Sequence, residues 1–250
     1  MKRDTLVSYL NDYLRIGDVK DYGPQGLQVE TDKTEVNKIA LAVDVSPEIL
    51  QEAAMWGADM LLVHHGIFWG KQACIAGALG ERVRLMMKHG INLYAAHLAL
   101  DAHPVVGNNA VLGEMFGLEN VEWWFAPMGT PLAVVGDIRP TKIKALVQQT
   151  DRALNTESIL LNHGEEIVLR LAILSGAGAD QVLAAKEMGA DTYLTGETSH
   201  AHYWQAADYG MNVIFAGHYA TETVGVQALG AHIAHKFQLE TKFFDFPTKM

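Results

Sequence analysis

The chain carries two copies of one pattern, and this internal repeat constrains the fold more than any other feature of the sequence. The segment Glu52–Gly66 resembles Ala184–Thr198, and the segment His89–Asp101 resembles Tyr209–Glu222. The matches fall in the same order in both copies, which favours a duplication over chance similarity around common Gly-Ala-Asp turns. Repeats of this length indicate two related domains rather than a solenoid.

The join between the two domains is predicted in the segment Phe125–Pro131, which contains two prolines and a glycine. We therefore predict a first α/β domain over residues 1–126 and a second over residues 127–250. This division leaves open whether the final helix and strand of the chain pack on the first domain.

Within each copy, short apolar runs alternate with helical stretches. The strand-length runs are Ile39–Val43, Met60–Val63, Ile91–Ala95, Leu169–Leu174, Thr192–Thr195 and Asn212–Ala216. The stretches with apolar residues every three or four positions are Glu48–Trp56, Gly80–Lys88, Gln181–Met188 and His200–Tyr209. This alternation predicts an α/β fold with mainly parallel sheets flanked by helices. Ligands in such folds gather at the carboxyl ends of the strands.

Composition and charge exclude several classes of protein. The formal net charge is −10 with neutral histidines, and no basic cluster is present, so nucleic acid is an unlikely main partner. No apolar run approaches the roughly 18 residues of a membrane span, and the N-terminus lacks the apolar core of a secretory signal. The single cysteine, Cys74, excludes an internal disulfide framework and a Cys-rich zinc site. We expect a cytoplasmic protein.

Residues of metal-ligand type follow three of the predicted strands. His64 and His65 follow the run Met60–Val63, His97 and Asp101 follow Ile91–Ala95, and His218 and Glu222 follow Asn212–Ala216. A single histidine at a strand end is usually structural, and a His–Glu pair four residues apart also suits the start of a helix. Both copies, however, pair a histidine with a carboxylate at matching positions, which favours a shared chemical role.

Imidazole and carboxylate without thiolate suit Zn, Mn, Fe, Co or Ni at a catalytic rather than a structural site. Two carboxylates and several imidazoles suffice for two ions, because one carboxylate can bridge a metal pair. His64 and His65 can share a site only if the chain turns beside them, which Gly66 permits.

The sequence resembles the NIF-three-like dinuclear metal-centre proteins, also described as GTP cyclohydrolase 1 type 2 homologues. The motifs that carry the resemblance are Asp21–Glu30, Gly57–Trp69, Asn92–Asn109, Thr195–His202 and Ala216–Glu222. The resemblance implies two similar α/β domains with a metal pair in the cleft between them, in a toroidal homohexamer. It assigns two divalent ions per subunit to the ligands His64, His65, Asp101, His218 and Glu222. It also places His97 close to the metals without making it one of the five usual ligands.

A second group of polar residues follows the second-copy strand that corresponds to the one before His64. Glu197, His200 and His202 are expected to face the same cleft, as metal-supporting or substrate-contacting residues; a plain helix start capped by Ser199 is the alternative. We predict that His97, Glu197 and His202 move protons during catalysis.

The leading functional hypothesis is a hydrolase-type enzyme that uses a metal-activated water on a nucleotide or related small metabolite. The resemblance to the cyclohydrolase homologues implies hydrolytic opening of a guanine imidazole ring, although a family name does not fix a substrate. The alternative is a metal-binding hexameric scaffold, or a metal storage or insertion protein. A transcription-partner module is a weaker third interpretation, which the net charge of −10 disfavours.

Overall fold

A computed structural model describes residues 1–70, 74–248 and 250. Its helices, in chain order, are α1 (Arg3–Tyr13), α2 (Pro47–Trp56), α3 (Gly77–His89), α4 (Leu98–Asp101), α5 (Asn108–Met115), α6 (Ile143–Leu154), α7 (Val182–Glu187), α8 (Tyr203–Asp208) and α9 (His218–Phe237). Its strands are β1 (Gly26–Val29), β2 (Lys38–Ala42), β3 (Met60–Val63), β4 (Asn92–Ala95), β5 (Glu119–Trp124), β6 (Ala133–Lys142), β7 (Ile159–Asn162), β8 (Ile167–Leu174), β9 (Thr192–Thr195), β10 (Asn212–Phe215) and β11 (Glu240–Phe243). Two short 3₁₀ helices, Ala179–Gln181 and His200–His202, precede α7 and α8. Within the described ranges, no helix combines the length and apolar character needed to span a membrane.

The chain divides into two compact units. The first unit contains residues 1–107 and 225–246, and the second contains residues 108–224 and 247–250. The second unit begins before the boundary that we predicted after Ala126, because β5 pairs with β6 in its sheet. Near the end of the chain, β11 pairs with β2 in the sheet of the first unit.

Each unit is built on one sheet flanked by helices, which confirms the predicted α/β class. The first sheet has the strand order β1-β4-β3-β2-β11, and only its β1–β4 pairing is antiparallel. The second has the order β5-β6-β8-β9-β10-β7, in which the central β8, β9 and β10 are parallel. The other three pairings of the second sheet are antiparallel. The second sheet is therefore mixed rather than mainly parallel.

Local sequence signals explain where helix α2 begins and ends. The Ser46 hydroxyl accepts a hydrogen bond from the backbone N–H of Ile49 at 3.2 Å, and Pro47 occupies the first helical position. Gly57 ends the helix in the left-handed conformation, at φ +82°, where L side chains are strained. The chain then re-enters the sheet at β3 and leads directly to His64.

Residues that align in the two sequence copies make the same hydrogen bonds in the two sheets. Asp59 Oδ2 accepts from the backbone N–H groups of residues 37 and 38, at 2.7 and 2.9 Å. Asp191 Oδ2 accepts from those of residues 169 and 170, at 2.8 and 3.0 Å. Asn92 and Asn212 likewise each accept a backbone N–H through Oδ1 at 2.9 Å and donate through Nδ2 to backbone carbonyls. These matched contacts support the predicted duplication.

Replacing Asp59 with asparagine is expected to destabilise the protein by about 1–3 kcal/mol at neutral pH, because a buried charged acceptor is lost. Burial alone would raise the pKa of Asp59, but Lys33 and two backbone N–H groups outweigh it and hold the pKa below its ordinary value of 3.8. A depressed pKa contributes stability above the pKa of the unfolded chain, and that stability is lost as the pH falls through the folded-state value. Denaturant unfolding of wild type and Asp59→Asn should therefore differ at pH 7 and converge below about pH 4.

Asp32→Asn is the matched control, since Asp32 is exposed and surface substitutions change stability by only about ±0.5 kcal/mol. An Asp59→Asn protein as stable as wild type at pH 7 would contradict this account.

Candidate metal-binding site

His64 directly follows β3 and is fully buried, with 0% of its surface exposed. Its Nδ1 lies 3.0 Å from the carbonyl oxygen of Ala96, and since a carbonyl only accepts, Nδ1 is the nitrogen that carries the hydrogen. The other ring nitrogen, Nε2, lies 3.6 Å from Oδ2 of Asp101 at the end of α4. The contact with Ala96 therefore orients Nε2 of His64 toward a buried carboxylate.

His65 and His97 repeat this arrangement with carboxylate partners. Nδ1 of His65 lies 2.9 Å from Oδ1 of Asp44, and Nδ1 of His97 lies 2.8 Å from Oδ1 of Asp21. The backbone N–H of His65 also donates to the carbonyl of Val43 at 2.8 Å, which fixes the chain where it turns after β3. In each of these imidazoles, Nδ1 is hydrogen bonded to an oxygen acceptor, and Nε2 points away from that acceptor.

The three imidazoles of the first unit converge. One ligand nitrogen of each of His64, His65 and His97 lies within 4.8 Å of the other two. The ring centroids of His64 lie 4.8 Å from His65 and 5.0 Å from His97. Metal-binding histidines usually donate their second N–H to a carboxylate or a backbone carbonyl, which fixes the ring and its tautomer. The donor set of imidazole and carboxylate therefore fits a divalent transition-metal ion.

The segment Asp21–Gln25 holds His97 and the start of α4. Asp21 Oδ2 accepts the backbone N–H of Leu98 at 2.9 Å, while Gln25 Oε1 accepts those of His97 and Ala99 at 3.2 and 2.9 Å. Burial alone would raise the pKa of Asp21, but the hydrogen bond and charge of His97 outweigh it and lower the pKa. Gln25 is thus a structural residue that caps the short helix which ends at Asp101.

The second unit places three of the predicted residues together at the start of α9. Nδ1 of His218 lies 2.7 Å from Oε1 of Glu197, and its Nε2 lies 3.1 Å from Oε2 of Glu222. Burial alone would lower the pKa of His218, but Glu222 and Glu197 outweigh it and raise the pKa to about 9. A pKa of about 9 means that the ring is protonated at neutral pH, so a metal ion that binds to it must displace a proton.

Gly176, in the loop after β8, lies against Glu222 and His218 and was not identified from the sequence. A Cβ atom there would lie 2.3 Å from Oε1 of Glu222 and 3.3 Å from Nε2 of His218. The backbone N–H of Gly176 donates to the hydroxyl of Thr221 at 3.0 Å, and its carbonyl accepts the N–H of Glu197 at 3.0 Å. Only glycine fits this close approach, which orders the loop around the Glu222 carboxylate.

Gly176→Ala is expected to displace Glu222 and reduce metal binding, in addition to the roughly 1–2 kcal/mol that an L residue loses in the left-handed region. Gly117→Ala is a matched control, because its φ of +68° is close to the +69° of Gly176 and no atom of the described residues lies within 4 Å of an added Cβ. Denaturant unfolding and metal analysis should show similar backbone strain in both variants and lost metal only in Gly176→Ala. Equal metal content in the two variants would refute the steric explanation.

The remaining predicted residues lie at the helix start after β9. His200 and His202 form a 3₁₀ helix, and Ser199 makes no side-chain capping hydrogen bond to it. Nδ1 of His202 is buried without a hydrogen-bond partner among the residues that the structure describes. The proton-transfer role of His202 stays a prediction.

The outer carboxylates Asp21 and Asp44 also escaped sequence reasoning as site residues. Asp44 lies two residues after β2, as His65 lies two residues after β3, so its position near a strand end was the available signal. Asp21 lies in the Asp21–Glu30 motif but is 76 positions from His97, and no local pattern links the two.

A cavity of about 420 Å³ lies beside these histidines in the first unit. The described residues that line it are Asp44, Val45, His65, Gly66, Ile67, Trp69, Arg82 and His97. A small molecule in this cavity would contact two of the three convergent imidazoles.

Comparison with known proteins gives consistent matches over the whole chain. The family model described as Duf34/NIF3 (NGG1p interacting factor 3) matches residues 1–249. A protein of Deinococcus radiodurans named GTP cyclohydrolase 1 type 2 homolog is 42% identical over 248 residues, which cover 98% of this chain and 94% of that one. A protein of Pyrococcus horikoshii with the same name is 41% identical over 250 residues, 99% of each chain.

Solved structures share the fold over their full length. Protein ybgI, described as of unknown function, superimposes with a TM-score of 0.93 at 34% identity, and the protein TTHA1606 from Thermus thermophilus does so with a TM-score of 0.91 at 37% identity. Each comparison covers 100% of both chains.

Proposed function

This chain belongs to the Duf34/NIF3 family, and we propose that it is a metal-dependent hydrolase of a nucleotide or related small metabolite. The observation that carries the proposal is the convergence of three imidazoles, each with Nδ1 committed to an oxygen acceptor. In metal sites such acceptors fix the orientation of the ring and the nitrogen that it presents to the metal. Three neighbouring histidines with purely structural roles would not need to place Nδ1 against an acceptor in the same way.

We propose that two divalent ions are held by the ligand set which the sequence predicted. Its members are His64, His65, Asp101, His218 and Glu222. The burial of Asp101 and Glu222, at 6% and 4% exposed, supports a role as ligands, because buried carboxylates require a cation or hydrogen-bond donors. The ions can be Zn, Mn, Fe, Co or Ni, since imidazole and carboxylate accept all of these metals.

Divalent ions at this site would supply a water with a pKa near neutrality and would polarise a carbonyl, imine or phosphoryl oxygen of the substrate. The residues of the chain then orient the substrate and move protons. His97 is held by Asp21 through Nδ1, so its Nε2 can accept or return a proton at the cavity wall. Glu197 and His202 are the proposed proton carriers of the second unit.

The choice of a nucleotide as substrate rests on the relatives. Two proteins at 41–42% identity are named GTP cyclohydrolase 1 type 2 homolog, and that name describes those proteins. When that name is carried over to this chain, it leads us to propose hydrolytic attack on a purine nucleotide.

The alternative proposal is a scaffold or metal-storage protein that uses the same ligands without turnover. Metal analysis of unsupplemented purified protein, followed by a nucleotide hydrolysis panel with Mn, Zn or Fe loading, separates the two. A hydrolase should turn over at least one nucleotide, and Glu222→Ala should abolish that activity. Tight metal binding without turnover under any loading would favour the scaffold.

We further propose that the protein is a homohexamer in the cytoplasm. The family resemblance supports the hexamer, and the single cysteine, Cys74, suits a reducing compartment. Light scattering coupled to size-exclusion chromatography measures the assembly directly. A mass of one or two chains of 27.4 kDa would contradict the hexamer.

A further inference from the structure

Arg82 lines the cavity of the first unit together with His65 and His97. It lies on α3, and its Nε is buried without a hydrogen-bond partner in the part of the chain that the structure describes. Glu48 attracts it electrostatically, but no ion pair joins these two described residues. A guanidinium has five N–H donors in a planar fork, and leaving the buried Nε–H of Arg82 unsatisfied is unfavourable.

The chemistry of the cavity wall indicates what would satisfy Arg82. The planar fork of an arginine matches the oxygens of a phosphate or carboxylate, which it can bind through two parallel hydrogen bonds. Asp44 is the acidic group among the described lining residues, and its Oδ1 is hydrogen bonded to His65. An anionic group of a ligand is therefore a suitable partner for Arg82.

Trp69 contributes an aromatic surface to the same cavity. Its side chain is 44% exposed, although it is a large apolar group. Its ring makes T-shaped contacts with His97, at 5.0 Å between centroids and 87° between planes, and with His65, at 6.0 Å and 63°. The exposed part of the indole can pack on a ligand, and aromatic rings favour other flat rings as partners.

We infer that this cavity binds a small organic anion with a planar ring, whose phosphate or carboxylate pairs with Arg82 and whose ring packs on Trp69. The inference rests on the proposed function only in taking this ligand to be the substrate. Arg82 is then a specificity residue that selects for the anionic group and holds the ring of the ligand beside His65 and His97.

The test measures binding to the full-length protein, at its purified metal content, by isothermal titration calorimetry. GMP supplies a ring and a phosphate, guanosine the ring alone, ribose 5-phosphate the phosphate alone, and orotate a ring with a carboxylate. A charge-assisted hydrogen-bonded pair corresponds to about a 10- to 100-fold change in affinity. We expect GMP or orotate to bind at least about tenfold more tightly than guanosine.

Arg82→Gln should remove that preference and leave the affinity for guanosine within about threefold of wild type. The matched control is Arg84→Gln, because Arg84 lies two positions along α3, is exposed and faces away from Arg82. Trp69→Leu should weaken GMP and guanosine alike and spare ribose 5-phosphate. Thermal unfolding of each variant confirms that the fold is retained.

The outcomes separate this inference from the proposed function. Binding of GMP that depends on Arg82, in a protein that hydrolyses nothing, would retain the inference and remove the hydrolase. Nucleotide turnover with a KM unchanged by Arg82→Gln would retain the hydrolase and overturn the inference. Equal affinity for GMP, orotate and guanosine, or no binding of either ringed anion, would also overturn it. If orotate binds and GMP does not, the anionic group is a carboxylate.

Discussion

Exchange of His64 for asparagine is expected to strip metal from the first unit and to abolish nucleotide turnover. Asparagine keeps an amide donor near the position of Nδ1, so the hydrogen bond to the carbonyl of Ala96 can survive. It has no atom at the position of Nε2, which faces Asp101 at 3.6 Å. Loss of an outer partner of a metal ligand typically reduces affinity roughly 10- to 100-fold, and loss of the ligand itself should exceed that range.

The measurement is metal content per chain after dialysis against a weak chelator, with turnover assayed on the same samples. His89→Asn is the matched control, since His89 is exposed on the last turn of α3. Asp44→Asn should fall between the control and His64→Asn, because it alters only the acceptor that orients His65. A His64→Asn protein that retains wild-type metal content would show that His64 is a structural histidine.

The central strands of both sheets could be predicted because each is a short, uncharged and mainly apolar run. All four residues of β3, β4, β9 and β10 are buried, as expected for parallel strands covered on both faces. Strand ends then predicted where His64, His65 and His218 would lie. These positions follow from local sequence alone, so sequence reasoning reached them.

The outer strands could not be predicted in the same way, because long-range pairing defines them. The first four residues of β5 are exposed, so it lacks the apolar pattern of a buried strand. The pairing of β11 with β2 joins Glu240 to Lys38 across most of the chain. No local sequence signal encodes this pairing. The mixed character of the second sheet and the boundary between the two units both depend on long-range strand pairings of this kind.

The candidate metal site also combines residues that local sequence predicts with residues that only long-range packing brings together. Histidines and carboxylates at strand ends are visible in the sequence, whereas the partners that orient them are separated from them by 21 to 76 positions. Arg82 lies mid-helix in a stretch that reads as an ordinary solvated surface. Its place at a cavity beside His65 depends on tertiary packing, which no spacing rule supplies.

Metal affinity is expected to rise by about 50-fold between pH 7 and pH 9, because a proton on His218 competes with the metal. Burial alone would lower the pKa of His218, but the hydrogen bonds and charges of Glu222 and Glu197 raise it to about 9. With the pKa raised, the ring is almost fully protonated at pH 7 and half deprotonated at pH 9. Metal binding at pH 7 must therefore release about one proton from this residue.

Titration against a competing chelator gives the affinity at each pH, and calorimetry in two buffers of different ionisation enthalpy counts the released protons. Glu197→Gln keeps an acceptor for Nδ1 of His218 at 2.7 Å but removes the negative charge that favours the protonated ring. The metal affinity of the variant should therefore depend less steeply on pH than that of wild type under identical conditions. Hydrolysis of the metal ion at high pH affects both proteins equally and does not change this comparison. A wild-type affinity that is flat from pH 7 to 9, or identical slopes in the two proteins, would mean that His218 does not exchange its proton for a metal ion.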